Sequence, residues 1–287
     1  MLKILLSLLL VLCATTYISH SFAQANMGAG KKQSEMVLVS LSDVPDLKAN
    51  PTPVIADSVI DPLTFMGRDG QVYRLSGLDS PALSDPDAAP SFVETSQSAL
   101  SDLIVGKSLL LYETQDKDIG RQNHFGHRLV HVLRQDDKSW IQGTLLANGF
   151  ARVRTTQFNP QLASLMYTYE TKAREQSLGL WQESNYSVLK ADALPDYVDG
   201  FQIIEGTIYS ASLVRNTIYL NFGQNWKEDF SIGIEPALRR KLSKDNVSPQ
   251  QWGGRNIRIR GPVRFYNGPF MDLTHPEQIE FLVKAQN

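Results

Sequence analysis

From Val54 onward the chain alternates short runs of apolar and β-branched residues with turn residues, and this pattern predicts a strand-rich domain. Residues 72–77 alternate polar and apolar side chains, as a half-buried strand does. The Asp69-Gly70 pair just before them is favoured in hairpins, so this strand is expected to form one arm of a hairpin. Further strands are predicted at residues 108–112 and 129–133.

Three segments of the same region have helical spacing. They cover residues 91–105, residues 140–148 and residues 160–177, and the last two are followed by Gly149 and Gly179. Glycine just beyond the last helical residue is a common helix end. Helices interleaved with a strand-rich barrel are typical of an OB-like arrangement.

The last part of the chain has its own strand pattern. Residues 184–199 are polar and contain Pro195, and they are predicted to be a linker. A helical insert is predicted over residues 236–244, and five strands with one helix is the composition of a small OB-type barrel. The five strand candidates are residues 201–208, 217–222, 230–234, 256–263 and 270–273.

The first 25 residues differ from the rest. Lys3 precedes an apolar run that is too short to span a bilayer, and Ala23-Gln24-Ala25 fits a small-x-small cleavage site. We therefore expect a Sec-type signal peptide over residues 1–25, cleavage near Ala25, and a secreted or periplasmic protein with no transmembrane segment in its mature chain. Residues 26–53 are predicted to be a flexible lead-in.

Composition adds two constraints. The only cysteine, Cys13, lies in the predicted signal peptide, so the mature cores must be stable without a disulfide. The charge is uneven, because residues 26–199 carry 16 basic and 22 acidic residues, whereas residues 200–287 carry 11 basic and 8 acidic residues. An acidic first part does not by itself attract nucleic acid.

Five blocks of sequence follow one another between residues 60 and 181. They are IDPLTF (60–65), YRLSGLDSP (73–81), NHFGHRLVHV (123–132), WIQGTLLANGFARV (140–153) and EQSLGLW (175–181). Their order and spacing resemble the thermonuclease family of calcium-dependent, staphylococcal-nuclease-like domains. The resemblance implies a nuclease-like OB barrel with interleaved helices over residues 54–183. The fold class expected for the whole chain is therefore β-rich α+β, with two small OB-fold-type barrels.

The resemblance also implies roles for individual residues. Asp61 and Asp79 match metal-ligating carboxylates of the family, and Ser80 replaces a threonine that ligates through its backbone carbonyl. Arg74 matches the first arginine that clamps the phosphate. His127 stands where the family has its second arginine. The implied cofactor is a weakly held Ca²⁺ ion, since calcium affinity follows the number of charged ligands.

Two further positions depart from the family pattern. Leu63 stands where the second metal-ligating aspartate is expected, and Ala82 stands where the catalytic glutamate is expected. A missing general base removes about 10²–10⁴ in rate. A missing charge-stabilising donor removes roughly 10²–10³ more. The sequence therefore leaves open whether the chain is an enzyme, and favours a degenerate nuclease site.

Several alternatives compete with a fully lost activity. Arg128 could replace His127 as the clamp if the strand slipped by one residue, and Asp85 or Asp87 could replace the glutamate. His124, His127 and His131 could form a transition-metal site with Asp79. In the simplest alternative, Arg74 and Asp79 form only a structural ion pair.

The second barrel offers a separate candidate site. Arg258, Arg260 and Arg264 alternate along one strand region and Tyr266 follows, which is the combination of cations and stacking platforms with which OB domains hold single strands. The predicted function is a binding module for single-stranded nucleic acid, another polyanion or an envelope protein. The alternative function is a divergent metal-dependent nuclease with a rebuilt catalytic site.

Overall fold

A computed structural model describes residues 35–282 of the chain. The predicted signal peptide and the start of the lead-in lie outside the described residues. Within residues 35–282, no helix combines the length and the apolar character needed to cross a lipid bilayer.

The first half of the described chain forms a sheet with helices packed around it. Its strands are β1 (Leu47–Ala49), β2 (Val54–Asp61), β3 (Thr64–Gly67), β4 (Val72–Leu75), β5 (Leu78–Asp79), β6 (Ser108–Thr114), β7 (Arg128–Arg134) and β8 (Arg152–Val153). Its helices are α1 (Pro81–Ser84), α2 (Pro90–Ile104), α3 (Ile141–Ala147) and α4 (Ala163–Glu175). The three longer helices begin and end within three residues of the predicted bounds.

The first sheet closes on itself. Its strands follow the order β1-β6-β2-β3-β4-β7, and β6 also pairs with β7, so that β2, β3, β4, β7 and β6 form a ring. Strands β4 and β7 are parallel and the other pairs of the ring are antiparallel. This is the predicted OB-like barrel. Strand β1 extends one edge of the sheet, and Val37 and Leu41 of the predicted lead-in are buried in the barrel core.

The second half forms a second curled sheet. Its strands are β9 (Leu189–Lys190), β10 (Gly200–Thr207), β11 (Ser210–Val214), β12 (Thr217–Asn221), β13 (Ser231–Ile234), β14 (Asn256–Phe265), β15 (Pro269–Leu273) and β16 (Ile279–Phe281), with helix α5 (Pro236–Lys244) between β13 and β14. The order β11-β12-β13-β15-β14-β10, with β13 and β15 parallel, is compatible with an OB-type barrel in which β10 and β11 are two halves of one bent strand. Strand β11 was not among the predicted strands.

Buried polar contacts join the two barrels. Arg260 of β14 donates hydrogen bonds from Nη1 to both carboxylate oxygens of Glu170 in α4, at 2.9 and 2.7 Å. His275 bonds through Nε2 to Thr155 Oγ1 at 2.8 Å. The described chain from both barrels clusters as a single compact unit. The predicted linker takes part in this packing, because β9 pairs with β10.

Candidate functional site

Arg74 and Asp61 lie together at one side of the first barrel. The hairpin of β3 and β4 places Thr64 opposite Arg74 in register. Arg74 Nη1 donates a hydrogen bond to Thr64 Oγ1 at 2.9 Å and lies 3.5 Å from Asp61 Oδ2. Both charged side chains remain about a quarter exposed, so a phosphate could reach the Arg74 guanidinium.

Leu63 and Ala82, the two departures from the family pattern, lie in apolar or backbone-only settings. Leu63 is fully buried in the core of the first barrel, and its backbone N–H donates to Asp61 Oδ1 at 2.8 Å. Ala82 lies in the single turn of α1, directly after Ser80 and Pro81. Neither position can supply a carboxylate, so the two acidic groups that the family pattern requires here are absent.

Asp79 is enclosed by two arginines. Strands β5 and β8 pair with Asp79 opposite Arg152, and Arg152 Nε donates to Asp79 Oδ2 at 2.9 Å. Arg154 Nη1 contacts Asp79 Oδ1 at 3.4 Å, and Ser84 Oγ donates to Asp79 Oδ2 at 3.1 Å. The side chains of Asp79 and Arg152 are only 6% and 7% exposed. Both carboxylate oxygens therefore already have cationic partners.

Aromatic side chains from the second half of the chain cover Asp79 and its two arginines. Phe201 of β10 stacks on both arginines, with its ring centre 4.4 Å from the Arg152 guanidinium carbon and 5.3 Å from that of Arg154. Tyr186 lies 5.9 Å from Arg152 and donates its hydroxyl hydrogen to Asp85 Oδ2 at 2.7 Å. Burial, reinforced by this hydrogen bond, raises the pKa of Tyr186. We call Asp79, Arg152, Arg154, Phe201 and Tyr186 the Asp79 cluster.

The sequence allowed a simple ion pair between Arg74 and Asp79, and this prediction is wrong. Arg74 pairs with Asp61, whereas Asp79 pairs with Arg152 and Arg154. The physical reason is the register of β5 and β8, which sets Arg152 directly across from Asp79. Asp85, one of the two candidates to replace the missing glutamate, is instead bound to Tyr186.

Arg128 does not lie beside Arg74. It is opposite Tyr73 in the parallel pair of β4 and β7, and its guanidinium carbon lies 5.7 Å from the centre of the Tyr73 ring. Arg128 Nε donates to Glu113 Oε1 at 2.7 Å. Adjacent residues of a strand point to opposite faces, so Arg128 shares a face with Tyr73 and not with Arg74.

The three histidines occupy different environments. His124 is exposed and its ring is tilted against that of Phe125, while His127 is half-buried with its Nδ1 atom buried and without a hydrogen-bond partner. His131 is buried against Trp140, and burial lowers its pKa to about 3. Among residues 35–282, no three His, Cys, Asp or Glu side chains are grouped so that they could hold a metal ion. The proposed transition-metal site therefore has no support in this fold.

The arginines of the second barrel are held by carboxylates. Arg258 bonds to Glu205 at 2.8 Å, and Arg260 is 2% exposed between Glu170 and Glu280. Burial is the largest single effect and acts to lower the pKa of Arg260, but the Glu170, Tyr167 and Glu280 groups together outweigh it, so that the pKa is raised. Neither guanidinium is presented to a nucleic-acid strand in this arrangement.

Arg264 and Tyr266 have a different setting. Arg264 pairs with Asp272 at 3.0 Å, and both side chains are substantially exposed. Tyr266 is half exposed. The structure therefore separates the four predicted nucleic-acid-binding residues into two that are enclosed and two that reach the surface.

Comparison with known families identifies the first barrel. Residues 72–183 match the family model of the staphylococcal nuclease homologue, whereas no curated protein sequence matches the chain. These residues form a staphylococcal-nuclease-like domain, as the sequence blocks predicted. Nucleases of this class in general depend on calcium, and their substrate is nucleic acid.

The residues of this chain do not fit that calcium ion. Asp79, the buried carboxylate that matches a metal ligand of the family, is neutralised by Arg152 and Arg154. The Ser80 carbonyl already accepts the backbone N–H of Leu83 at 2.9 Å and the Ser84 hydroxyl at 3.2 Å. Calcium needs hard oxygen ligands whose negative charge is not already neutralised. Of the three expected calcium ligands, only Asp61 lies outside this network of contacts.

Sequence reasoning missed Arg152 and Arg154 as site residues. The signal was present in the segment Ala-Arg-Val-Arg (151–154), which follows a predicted helix and its terminal glycine. An arginine between two apolar residues in a buried short strand needs a buried counter-charge. The identity of that partner depends on pairing between β5 and β8, which lie more than seventy residues apart, and no local pattern reports it.

Proposed function

We propose that this protein is a nucleic-acid-binding module built on a staphylococcal-nuclease-like domain, and that this domain has lost calcium-dependent hydrolysis. The observation that carries the proposal is the buried ion pair between Asp79 and Arg152. A guanidinium group lies against the carboxylate where the family pattern expects a metal ion. The Lewis acid that would polarise a phosphodiester is therefore replaced by a buried ion pair.

The surroundings of Arg154 support binding. Its side chain is nearly half exposed and lines a cleft of about 1090 Å³ whose walls come from both barrels. Arg260 is enclosed by Glu170 and Glu280, and without it four basic side chains and three acidic ones line the cleft: Lys117, Arg121, Arg128 and Arg154 against Glu113, Asp118 and Asp272. The excess of positive charge favours a polyanion such as a single nucleic-acid strand.

The absence of carboxylates at positions 63 and 82 supports the loss of hydrolysis. Without a general base the rate falls by about 10²–10⁴. Replacing the second clamping arginine by His127 removes roughly a further 10²–10³. We further propose that the protein is exported, on the basis of the apolar segment and cleavage pattern in residues 1–25.

The test uses the chain from Asn26 with labelled single-stranded DNA and RNA. Cleavage is followed by gel electrophoresis in calcium, manganese, zinc or a chelator, and binding is followed by fluorescence anisotropy over a range of salt concentrations. We expect intact substrate with every metal, and binding that weakens as salt rises. Calcium-dependent digestion that disappears in Asp79→Ala would overturn the loss of hydrolysis and establish the divergent nuclease instead.

Two arginine variants test whether the measured binding depends on Arg74 or on any surface arginine. Arg74→Ala should weaken binding and reduce the slope of log K against log salt by about 0.7, the value for one lost phosphate contact on a single strand. Arg68→Ala is the matched control, because Arg68 is an exposed arginine in a surface pair with Asp57. No measurable binding at low salt would refute the nucleic-acid partner.

A further inference from the structure

Three large aromatic side chains protrude from one end of the second barrel. Phe265 is 81% exposed, Trp226 is 53% exposed and Tyr266 is 50% exposed. Phe265 and Tyr266 lie where β14 ends and turns into β15, and Trp226 lies in the loop between β12 and β13. We call these three residues the aromatic end. Large aromatic rings are usually buried, so three at one place need an explanation.

The two loops that carry these residues pack against each other. Asp229 closes the first loop by accepting the Asn225 N–H at 2.7 Å, and Tyr266 N–H donates to Gly268 O at 2.8 Å in the second. Gly268 has a positive φ, and a Cβ atom there would lie 2.7 Å from the Glu228 carbonyl oxygen. The close backbone contact fixes the two loops side by side. The backbone that carries the aromatic end is therefore held in place by specific contacts.

A cation-bearing aromatic stack continues from this end onto the sheet. The Arg264 guanidinium carbon lies 5.3 Å from the Tyr266 ring centre and 4.3 Å from that of Phe270. Phe270 packs edge-on against Tyr219 of β12, with ring centres 6.3 Å apart. A side chain at Gly233 of β13 would collide with the Phe270 ring, so this stack covers β12, β13 and β15 from outside.

The aromatic end and the adjoining stack lie on the face that OB barrels use to bind extended ligands. Their second and third strands, together with the loops that join strands one to two and four to five, contact oligonucleotides and oligosaccharides. In this barrel β12 and β13 are the second and third strands, and the turn that holds Tyr266 joins the fourth and fifth. Arg215 lies in the turn between β11 and β12, the equivalent of the other loop.

Two cations on this face can contact an anionic ligand. Arg258 and Arg260 are enclosed by carboxylates, whereas Arg264 is half exposed and its partner Asp272 is 40% exposed. A surface ion pair of this kind is worth little, so Arg264 can exchange Asp272 for a phosphate at small cost. Lys227 lies beside the Trp226 ring, at 5.6 Å from its centre.

We propose that the aromatic end binds single-stranded nucleic acid by stacking its bases on Trp226, Phe265 and Tyr266, while Arg264 and Lys227 contact its phosphates. The proposal rests on the proposed function and adds a second contact surface, on the other barrel, for the same strand. Stacking accepts every base, since each has a π-face, so sequence preference is expected to be weak. An oligosaccharide also stacks on aromatic rings, but it gains nothing from the two cations.

Tryptophan fluorescence tests the stacking directly. Trp226 is the exposed tryptophan, because Trp140, Trp181 and Trp252 are buried. Addition of an unlabelled thymidine oligonucleotide to the chain from Asn26, in chelator, should quench the Trp226 emission, and the quenching should disappear in Trp226→Ala. The same titration with an oligomer of N-acetylglucosamine should leave the emission unchanged.

Anisotropy with a labelled oligonucleotide measures the energetic share of the other rings. A base–aromatic stack is worth about 1–3 kcal/mol, so Phe265→Ala should weaken binding by about 5- to 150-fold. Tyr266→Ala should act in the same direction. Tyr197→Ala is the matched control, because Tyr197 is 77% exposed outside the aromatic end and its loss should leave binding unchanged. Thermal melting verifies that each variant is folded.

The outcomes separate this proposal from the proposed function. Binding and quenching that are unaffected in a Phe265→Ala/Tyr266→Ala double variant would overturn the aromatic end as a nucleic-acid site. Quenching by the sugar oligomer alone would overturn it in favour of a carbohydrate site. Cleavage of the oligonucleotide when metal is added would refute only the loss of hydrolysis, since the binding measurements are made in chelator.

Discussion

Asp79 and Arg152 are brought together by the register of two very short strands, and this contact changes the chemistry of the whole pocket. A buried carboxylate without a partner would be costly, and Arg152 removes that cost with a direct hydrogen bond of 2.9 Å. The same carboxylate is therefore no longer available as a strong metal ligand. One arginine thus links the stability of the domain to the loss of its calcium chemistry.

Removal of Arg152 should be strongly destabilising. Arg152→Ala leaves Asp79 buried with the longer Arg154 contact and the Ser84 hydroxyl, and it also removes the stacking surface of Phe201. Breaking one side of a buried ion pair typically costs about 3–5 kcal/mol. Urea denaturation should show a loss of this size in the free energy of unfolding.

Arg68→Ala provides the comparison for that measurement. Arg68 and Asp57 form an exposed pair 3.9 Å apart, and such pairs contribute about 0–1 kcal/mol. If Arg152→Ala lost no more stability than Arg68→Ala, the Asp79 cluster would not be the tight ion pair described here.

His131 should make the protein sensitive to acid. Burial lowers its pKa to about 3, against about 6.5 in an unfolded chain. The unfolded state therefore binds more protons between these values, so the stabilising contribution is complete above pH 6.5 and is lost as the pH falls towards 3. His131→Leu should flatten this dependence, by up to about 1.4 kcal/mol for each pH unit below 6.5.

Chemical denaturation at several pH values measures this effect. Val132→Ala, which truncates a buried neighbour without a titrating group, is expected to lower stability by a similar amount at every pH. A His131→Leu variant that kept the full acid sensitivity of the parent chain would assign that sensitivity to other groups. His275 is one such group, because burial also lowers its pKa, to about 4.

At the scale of single residues, the sequence could predict the positions of candidate site residues but not the side chains with which they pair. The motif spacing singled out Asp61, Arg74 and Asp79 as candidates, and it marked Leu63 and Ala82 as departures from the family pattern. It could not identify Arg152, because the partner of a buried charge is set by strand pairing across the fold. The enclosure of Arg260 by Glu170 is another consequence of tertiary packing that a strand pattern does not contain.

At the scale of elements, the end of α3 depends on a close backbone contact. Gly149 follows α3 with a φ of +71°, and its carbonyl accepts the Leu180 N–H at 2.9 Å. A Cβ atom at Gly149 would lie well inside the contact distance of the Leu178 carbonyl group. The contact ties the end of α3 to the 3₁₀ turn at residues 179–182, some thirty residues later.

Gly149→Ala should therefore cost more than an ordinary glycine substitution. The positive φ alone costs about 1 kcal/mol, and overpacking against backbone adds about 1–3 kcal/mol. Gly106→Ala is the matched control, because Gly106 has a φ of +73° and open space around its Cβ position. Equal losses of stability in urea for the two variants would show that the Leu178 backbone moves aside easily.

Element prediction succeeded where periodicity was long and failed where strands were short or bent. Helices α2, α3, α4 and α5 and strands β6, β7, β12 and β14 lie where spacing and turn residues predicted them. Strand β11 was missed because it continues β10 after a bend, and its exposed edge position gives it no apolar alternation. Strands β1, β8 and β9 have only two or three residues, which is too short for any pattern.

At the scale of the whole molecule, the two barrels share a buried polar interface. Tyr167 and Glu170 of α4 meet Arg260 of β14, whose guanidinium carbon lies 4.1 Å from the Tyr167 ring centre. The Tyr167 hydroxyl bonds to the backbone oxygen of Glu277. The sequence predicted two barrels of the correct class, but it could not predict that they would be joined through charged groups, since the second barrel's arginine strand has the pattern of a solvated face.

This interface should make the two barrels unfold together. Arg260→Ala would leave the fully buried Glu170 with Arg174 at 3.3 Å as its one remaining cation and with the Val153 N–H at 2.7 Å, and the expected loss is about 3–5 kcal/mol. The parent chain should show one calorimetric transition whose calorimetric and van't Hoff enthalpies agree, whereas Arg260→Ala should show two. Arg258→Ala is the control, since Arg258 pairs with Glu205 within the second barrel.

A paired replacement shows whether charge or shape holds the barrels together. Glu170→Leu with Arg260→Met removes both buried charges while keeping much of their volume, and replacing a buried pair in this way is often neutral or stabilising. We expect the double variant to recover most of the stability lost in Arg260→Ala and to regain a single transition. If the double variant were as unstable as the single one, the apolar contacts around Tyr167 would be insufficient alone. The ion pair would then be the connection that makes two barrels one folding unit.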